Sequence, residues 1–188
     1  MGNENSTVEP YEVFAKQMEE KYPKMLSGHY GGFAVSKGWY PILDKLMANI
    51  QSHTDWKNKC RQRDIDIFNA REQGYDALLK FLSGERPATE WEIERALEYM
   101  EDGVVIPPEV PQVIVQQIKE KFGGLRFYYD GGDEHVHGLV SMAESWAGVA
   151  CEECGAIGVR RGGGWIRTLC DTHEAEHQER IKARNQND

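Results

Sequence analysis

The chain has 188 residues, 40% of them hydrophobic and 28% charged, with a formal net charge of −9, enough for one ordinary globular domain with or without a small appendage. That charge argues against a nonspecific nucleic-acid binder, whose affinity comes from neutralising phosphates, and leaves open a local basic patch. No apolar run approaches the roughly 20 residues that span a bilayer, and the N-terminus lacks the basic and apolar regions of a secretion signal, so a cytoplasmic protein without a membrane partner is expected.

Residues 1–9 are polar and read as a disordered tail; Met1-Gly2 with Ser6 also fits a short myristoylation pattern. Tyr11, Phe14, Ala15 and Met18 recur at helical spacing after Pro10, and Pro23 ends that helix. The glycine-rich stretch at 27–32 lacks the lysine and hydroxyl of a phosphate loop and reads as a plain loop. Ile42, Leu43, Leu46, Met47 and Ile50 predict a second helix. After a polar interval at 51–55, residues 56–82 read as mainly helical, ending at Ser83-Gly84. Thr89 and Glu92 have the spacing of a capping box, in which side chains satisfy the first free amides of a helix. That helix is predicted to run to Glu101 with Ile93, Leu97 and Met100 on one face, and Asp102-Gly103 terminates it. The β-branched run 113–119, a turn over Phe122-Gly-Gly-Leu125 and the segment 125–129 predict a β-hairpin. Asp133 is placed to cap a helix over 134–146 that buries Val136, Leu139, Val140 and Ala143.

Near the C-terminus, Cys151 and Cys154 form one close pair and Cys170 and His173 another. Thiolate and imidazole donors at this spacing can close a tetrahedral shell around one Zn²⁺. Gly155 suits the tight turn after the first pair. The intervening segment reads as strand, glycine turn, strand, and the charged run from Glu174 to Lys182 as a helix carrying the second pair at its start. Knuckle, hairpin and helix in that order predict a treble-clef-like zinc module. All four donors come from the protein, so the expected role is structural rather than catalytic. His177, one helical turn beyond His173, is the alternative ligand. Three of the four cysteines belong to this set, which favours a reducing compartment; Cys60 reads as a structural thiol.

Two surfaces are candidates for a ligand or partner. On the central hairpin, Arg126 and Tyr128 share the face opposite Leu125, Phe127 and Tyr129. They offer a planar cation and a stacking ring, and Lys119 and Lys121 add charge nearby. On the zinc hairpin, Arg160, Arg161, Trp165 and Arg167 can touch phosphates or stack on a base. The bland readings are a hairpin core and a solvated turn. His29, Asp133, His135 and His137 are the obvious acid–base candidates, but His135 and His137 lie two apart and do not face each other on a helix. Nucleophile-elbow, metalloprotease, phosphate-loop and dinucleotide patterns are absent.

The run from Lys119 to Tyr128, Lys-Glu-Lys-Phe-Gly-Gly-Leu-Arg-Phe-Tyr, resembles a family of small uncharacterised proteins of tailed phages and prophages. Cys151-x-x-Cys-Gly and Trp165-Ile-x-Thr-Leu-Cys-x-x-His173 continue the resemblance, and Gly38-Trp-Tyr-Pro-Ile-Leu43 extends it upstream. It covers about 36–50 and 110–174 and implies that 56–105 is a variable helical insertion. The family has no established activity. Its phage setting implies an accessory role toward the host, such as counter-defence or takeover.

The expectation is therefore an α+β protein with a helical N-terminal part, a central β-hairpin and a C-terminal zinc module. Its domains are a body over 10–149, with the insertion at about 56–105, and the module over 150–188. Its expected function is non-enzymatic: a zinc-stabilised accessory protein that binds a host protein or a nucleotide-like small molecule. A nucleic-acid-binding zinc finger and an uncharacterised enzyme are the alternatives.

Overall fold

A computed structural model describes residues 10–28, 31–162 and 164–185. The expected disordered tail, the myristoylation pattern and His29 lie outside them. The fold is α+β, with six α-helices among the described residues. The chain forms two compact units. One takes the residues up to His53 and those from Pro111 onward; the other is Thr54–Val110.

In the first unit, α1 (Pro10–Lys21) and the first part of α2 (Tyr40–Glu72) line the core with Phe14, Met18, Leu43, Met47 and Ile50. These are the apolar positions expected from helical spacing, except that Tyr11 is exposed. Between the two helices, β1 (Phe33–Ala34) joins a sheet of order β1-β2-β3 with β2 (Ile114–Lys121) and β3 (Gly124–Asp130). β1 runs parallel to β2, and β2 antiparallel to β3. Two residues are too few for a periodic signal, so β1 is not legible in the sequence. A register shift between Val115 and Gln117 explains why Val115 and Ile118, three apart, both face the core: a bulge adds one residue and flips the alternation. α5 (Glu134–Ala147) packs on β3 and begins at Asp133, whose carboxylate accepts the Val136 N–H at 3.1 Å. Trp39 is fully buried and donates its Nε1–H to the Ala150 carbonyl at 2.9 Å. Beyond it, β4 (Val159–Arg161) and β5 (Arg167–Leu169) form a two-stranded antiparallel sheet, and α6 (Asp171–Asn185) ends the described chain.

Instead of two helices separated by a polar interval, α2 is one continuous helix of 33 residues. Gln51 to Asp55 contain neither Gly nor Pro, and polarity alone does not break a hydrogen-bonded ladder. The break comes at Gly74, whose φ is 105°. In the second unit, α3 (Tyr75–Ser83) and α4 (Glu90–Asp102) pack together around Ile67, Ala70, Leu78 and Ala96. The Thr89–Glu92 capping box is formed on both sides. The expected core face of α4 is corrected: Glu92 and Ala96 are buried, whereas Ile93 and Leu97 are exposed. Glu92 turns inward to serve Thr89 and Arg86, and the small Ala96 beneath it admits close helix packing. At the far end, Arg71 Nε donates to the Tyr99 carbonyl at 2.7 Å, satisfying a terminal acceptor of α4.

Candidate metal centre

The two donor pairs are brought together by a knuckle, a hairpin and a helix start. Cys151 N–H donates to the Ala156 carbonyl at 2.7 Å, and Gly155 N–H donates back to the Cys151 carbonyl at 2.8 Å. Gly155 has a φ of 76°, which closes this turn in the left-handed region. The knuckle is tied to β5 by Glu152, whose N–H donates to the Thr168 carbonyl at 2.9 Å while its carboxylate accepts the Thr168 N–H at 2.8 Å. β5 leads into Cys170, whose carbonyl accepts the Glu174 N–H at 2.9 Å and opens α6. His173 therefore lies in the first turn, beside Cys170.

The ligand atoms of Cys151, Cys154, Cys170 and His173 all lie within 4.8 Å of one another. The Cys154 and Cys170 sulfurs are 3.9 Å apart, and His173 Nδ1 is 3.5 Å from Cys151 Sγ and 3.2 Å from Cys170 Sγ. A tetrahedral shell with Zn–S and Zn–N bonds of ordinary length sets its donors about 3.8 Å (S to S) and about 3.6 Å (S to N) apart. The donor set fits such an ion. The His173 backbone N–H holds the Cys170 thiol down at about 7. The Cys154 thiol is raised: the Ala156 N–H lowers it, but desolvation and the adjoining Cys151 and Cys170 sulfurs prevail. Three thiols this close cannot all ionise without a cation among them, and a divalent ion bound there would supply that charge. His177 is half-buried and stands outside the donor set. Among the described residues, no other cluster of three or more His, Cys, Asp or Glu side chains converges in this way.

Glu152 is a buried carboxylate that sequence reasoning missed, 2% exposed. Burial pushes its carboxyl above the ordinary range, against the pull of the Thr168 N–H and Arg167. Its only sequence-level trace is an acid between two ligands facing an arginine in the following hairpin. The Arg167 guanidinium reaches Glu152 at 3.2 Å and Glu153 at 2.6 Å, and Arg161 pairs with Asp171. Both arginines are thus held internally. Arg160 has no ion-pair partner among the described residues, and Trp165 is 75% exposed. On the central hairpin, Lys119 Nζ stands 5.1 Å over the ring of Tyr128, and Lys121 Nζ 5.6 Å from the ring of Phe122. Arg126 Nη1 donates to the Leu125 carbonyl at 2.7 Å and lies 3.6 Å from Glu144.

The β4–β5 hairpin and the central hairpin touch directly. Thr168 Oγ1 donates to the Gly123 carbonyl at 2.6 Å, in a buried bond. Of the acid–base candidates, Asp133 and His135 gather around His53, which sequence reasoning did not single out. His53 Nε2 is 2.8 Å from Asp133 Oδ2, and its ring stacks on that of His135 at 4.2 Å. Partial burial raises Asp133, but the His53 hydrogen bond and the Val136 N–H outweigh it and hold the carboxyl below its usual value. His137 is exposed and stands apart.

These features define an α+β protein whose knuckle, hairpin and helix bring four donors together in an arrangement that can hold a metal ion. Comparison with protein-family models, curated proteins and solved structures gives no match. Among the described residues, no helix is long and apolar enough to cross a membrane.

Proposed function

We propose that Cys151, Cys154, Cys170 and His173 hold one structural Zn²⁺ in a treble-clef-like module, and that the protein works by binding rather than by catalysis. The closed donor set carries this reading: four protein ligands at tetrahedral spacing leave no position for a metal-activated water. The ion clamps β4–β5 and the start of α6, and through Thr168 it braces the central hairpin. The surface so held, with Arg126, Tyr128, Lys119, Lys121, Arg160 and Trp165, is where a host protein or a nucleotide-like ligand docks. From the resemblance to tailed-phage proteins we infer an action in the cytoplasm of an infected host, as a counter-defence or takeover factor.

The nucleic-acid reading is weaker. Arg161 and Arg167, two of its four residues, already pair with acids, and the net charge of −9 opposes a long polyanion. Elemental analysis of protein purified without added metal tests the clamp. One zinc per chain is expected, and metal-free protein that keeps its melting temperature removes the proposal.

A further inference from the structure

Phe122 is the only described residue other than glycine with a positive φ, at 53°. Lys121 and Gly124 are paired across the ladder, so Phe122 and Gly123 form a two-residue loop. Such loops demand left-handed backbone at both positions and favour Asn-Gly, because a bulky residue is disfavoured there. Phe122 is nonetheless 63% exposed. The fold therefore holds a large ring at the surface in a disfavoured conformation, for which its own packing gives no reason.

The ring has a counterpart. A depression of about 230 Å³ is lined by Glu120, Lys121, Phe122, Gly164, Trp165 and Ile166. Phe122 and Trp165, both mostly exposed, are its two aromatic sides. They come from separate hairpins and share a site because the β2–β3 turn lies on β5. A Cβ on Gly123 would stand 3.2 Å from the Arg167 carbonyl carbon and 3.3 Å from Ile166 Cγ2, and Thr168 bonds the Gly123 carbonyl. One cation, Lys121, lies on the lining, and two more stand beside the same turn. Lys121 Nζ is 5.6 Å from the Phe122 ring. Arg126 Nη1 and Arg160 Nη2 stand 3.4 and 3.5 Å from the point a Cβ on Gly124 would occupy, so the two guanidiniums converge beside the turn.

We infer that this slot binds a mononucleotide, with the base between Phe122 and Trp165 and the phosphate on Lys121, Arg126 and Arg160. The volume lies below the roughly 300 Å³ of pockets that enclose a drug-sized ligand. It takes one ring system and leaves sugar and phosphate at the cationic mouth. Stacking on aromatic rings suits any base; Glu120 on the wall accepts the Gly123 N–H at 2.6 Å through one oxygen and offers its other to a base with an N–H edge. This inference deepens the ligand half of the proposed function and rests on it.

Titration calorimetry of the full chain with AMP, GMP, CMP and UMP tests it. The matching nucleosides, inorganic pyrophosphate and a single-stranded oligonucleotide serve as comparison arms, and zinc is measured on the same sample. At least one mononucleotide is expected to bind one per chain, and its nucleoside and pyrophosphate to bind about tenfold more weakly or worse. Phe122→Asn and Trp165→Ala should each weaken binding about tenfold or more, the loss expected on removing one stacking partner. Phe122→Asn should meanwhile melt no lower than the parent, because Asn-Gly suits the turn; a purely structural Phe122 predicts a lower melting temperature and unchanged binding. The slot is overturned if no mononucleotide binds, if both variants bind like the parent, or if the oligonucleotide binds more tightly than every mononucleotide. Nucleotide binding by zinc-free protein refutes the clamp and supports the slot; zinc-loaded protein that binds none does the reverse.

Discussion

Gly38 donates its backbone N–H to the carbonyl of Glu152 at 2.8 Å, so the chain entering α2 is fastened to the knuckle between the first two candidate metal ligands. A Cβ on Gly38 would overlap the carbonyl oxygens of Cys151 and Glu152 and stand 2.7 Å from the Glu152 carbonyl carbon. Backbone on both sides leaves nothing soft to move. Gly38→Ala is expected to cost about 3 kcal/mol, seen as a lower chemical-denaturation midpoint, and to weaken metal retention against a chelator.

Cys154→Ser removes one donor from the shell. The variant is expected to purify without stoichiometric zinc and to lose several kcal/mol, since binding energy at such a site is folding energy. Hydrogen exchange should quicken through β4, β5 and the start of α6, while amides of α3 and α4, in the other unit, keep their protection. Uniform protection across the C-terminal segment would contradict a clamping role.

Thr168→Val deletes the hydroxyl that bonds the Gly123 carbonyl and nearly preserves side-chain shape. The stranded buried carbonyl predicts a loss of about 1–3 kcal/mol. Zinc content should stay at one per chain, because the donor geometry does not depend on that hydroxyl. A parent-like melting temperature would show that the two hairpins do not need this bond.

Glu92 predicts an acid-sensitive helix start. Its hydrogen bonds with Arg86 and the Thr89 N–H hold the carboxyl down at about 2, from an ordinary 4.5. A depressed folded-state value stabilises the native state fully above pH 4.5, and the contribution fades as pH falls toward 2. The difference in α4 amide protection between the parent and Glu92→Gln is therefore expected to be largest near neutrality and to shrink below pH 4.5. A difference that is constant with pH would assign the effect to packing.

Helix starts and stops were legible because they are local. Thr89, Asp133, Gly84 and Gly103 cap their helices as their residue types predict. The metal donors were legible for the same reason: their spacing in each pair is set by one turn of backbone. The buried face of α4 was not, since Ile93 and Leu97 are as apolar as a core requires and only the inward turn of Glu92 excludes them. β1 was hidden by its shortness, and the continuity of α2 by a polar stretch that helices tolerate. His53 gave no sign because its partners, Asp133 and His135, are distant in sequence.

The amino-acid order by itself determined which residues can ligate a metal, where most helices begin and end, and that a hairpin turns around Gly123. These follow from backbone sterics and short-range hydrogen bonding. Only the tertiary structure decided which side chains meet. It placed Glu152 under Thr168 and Arg167, set the β2–β3 turn on β5, and stood Phe122 beside Trp165 on a hairpin far along the chain. Such meetings depend on how buried surfaces pack between segments, and no local pattern carries that information.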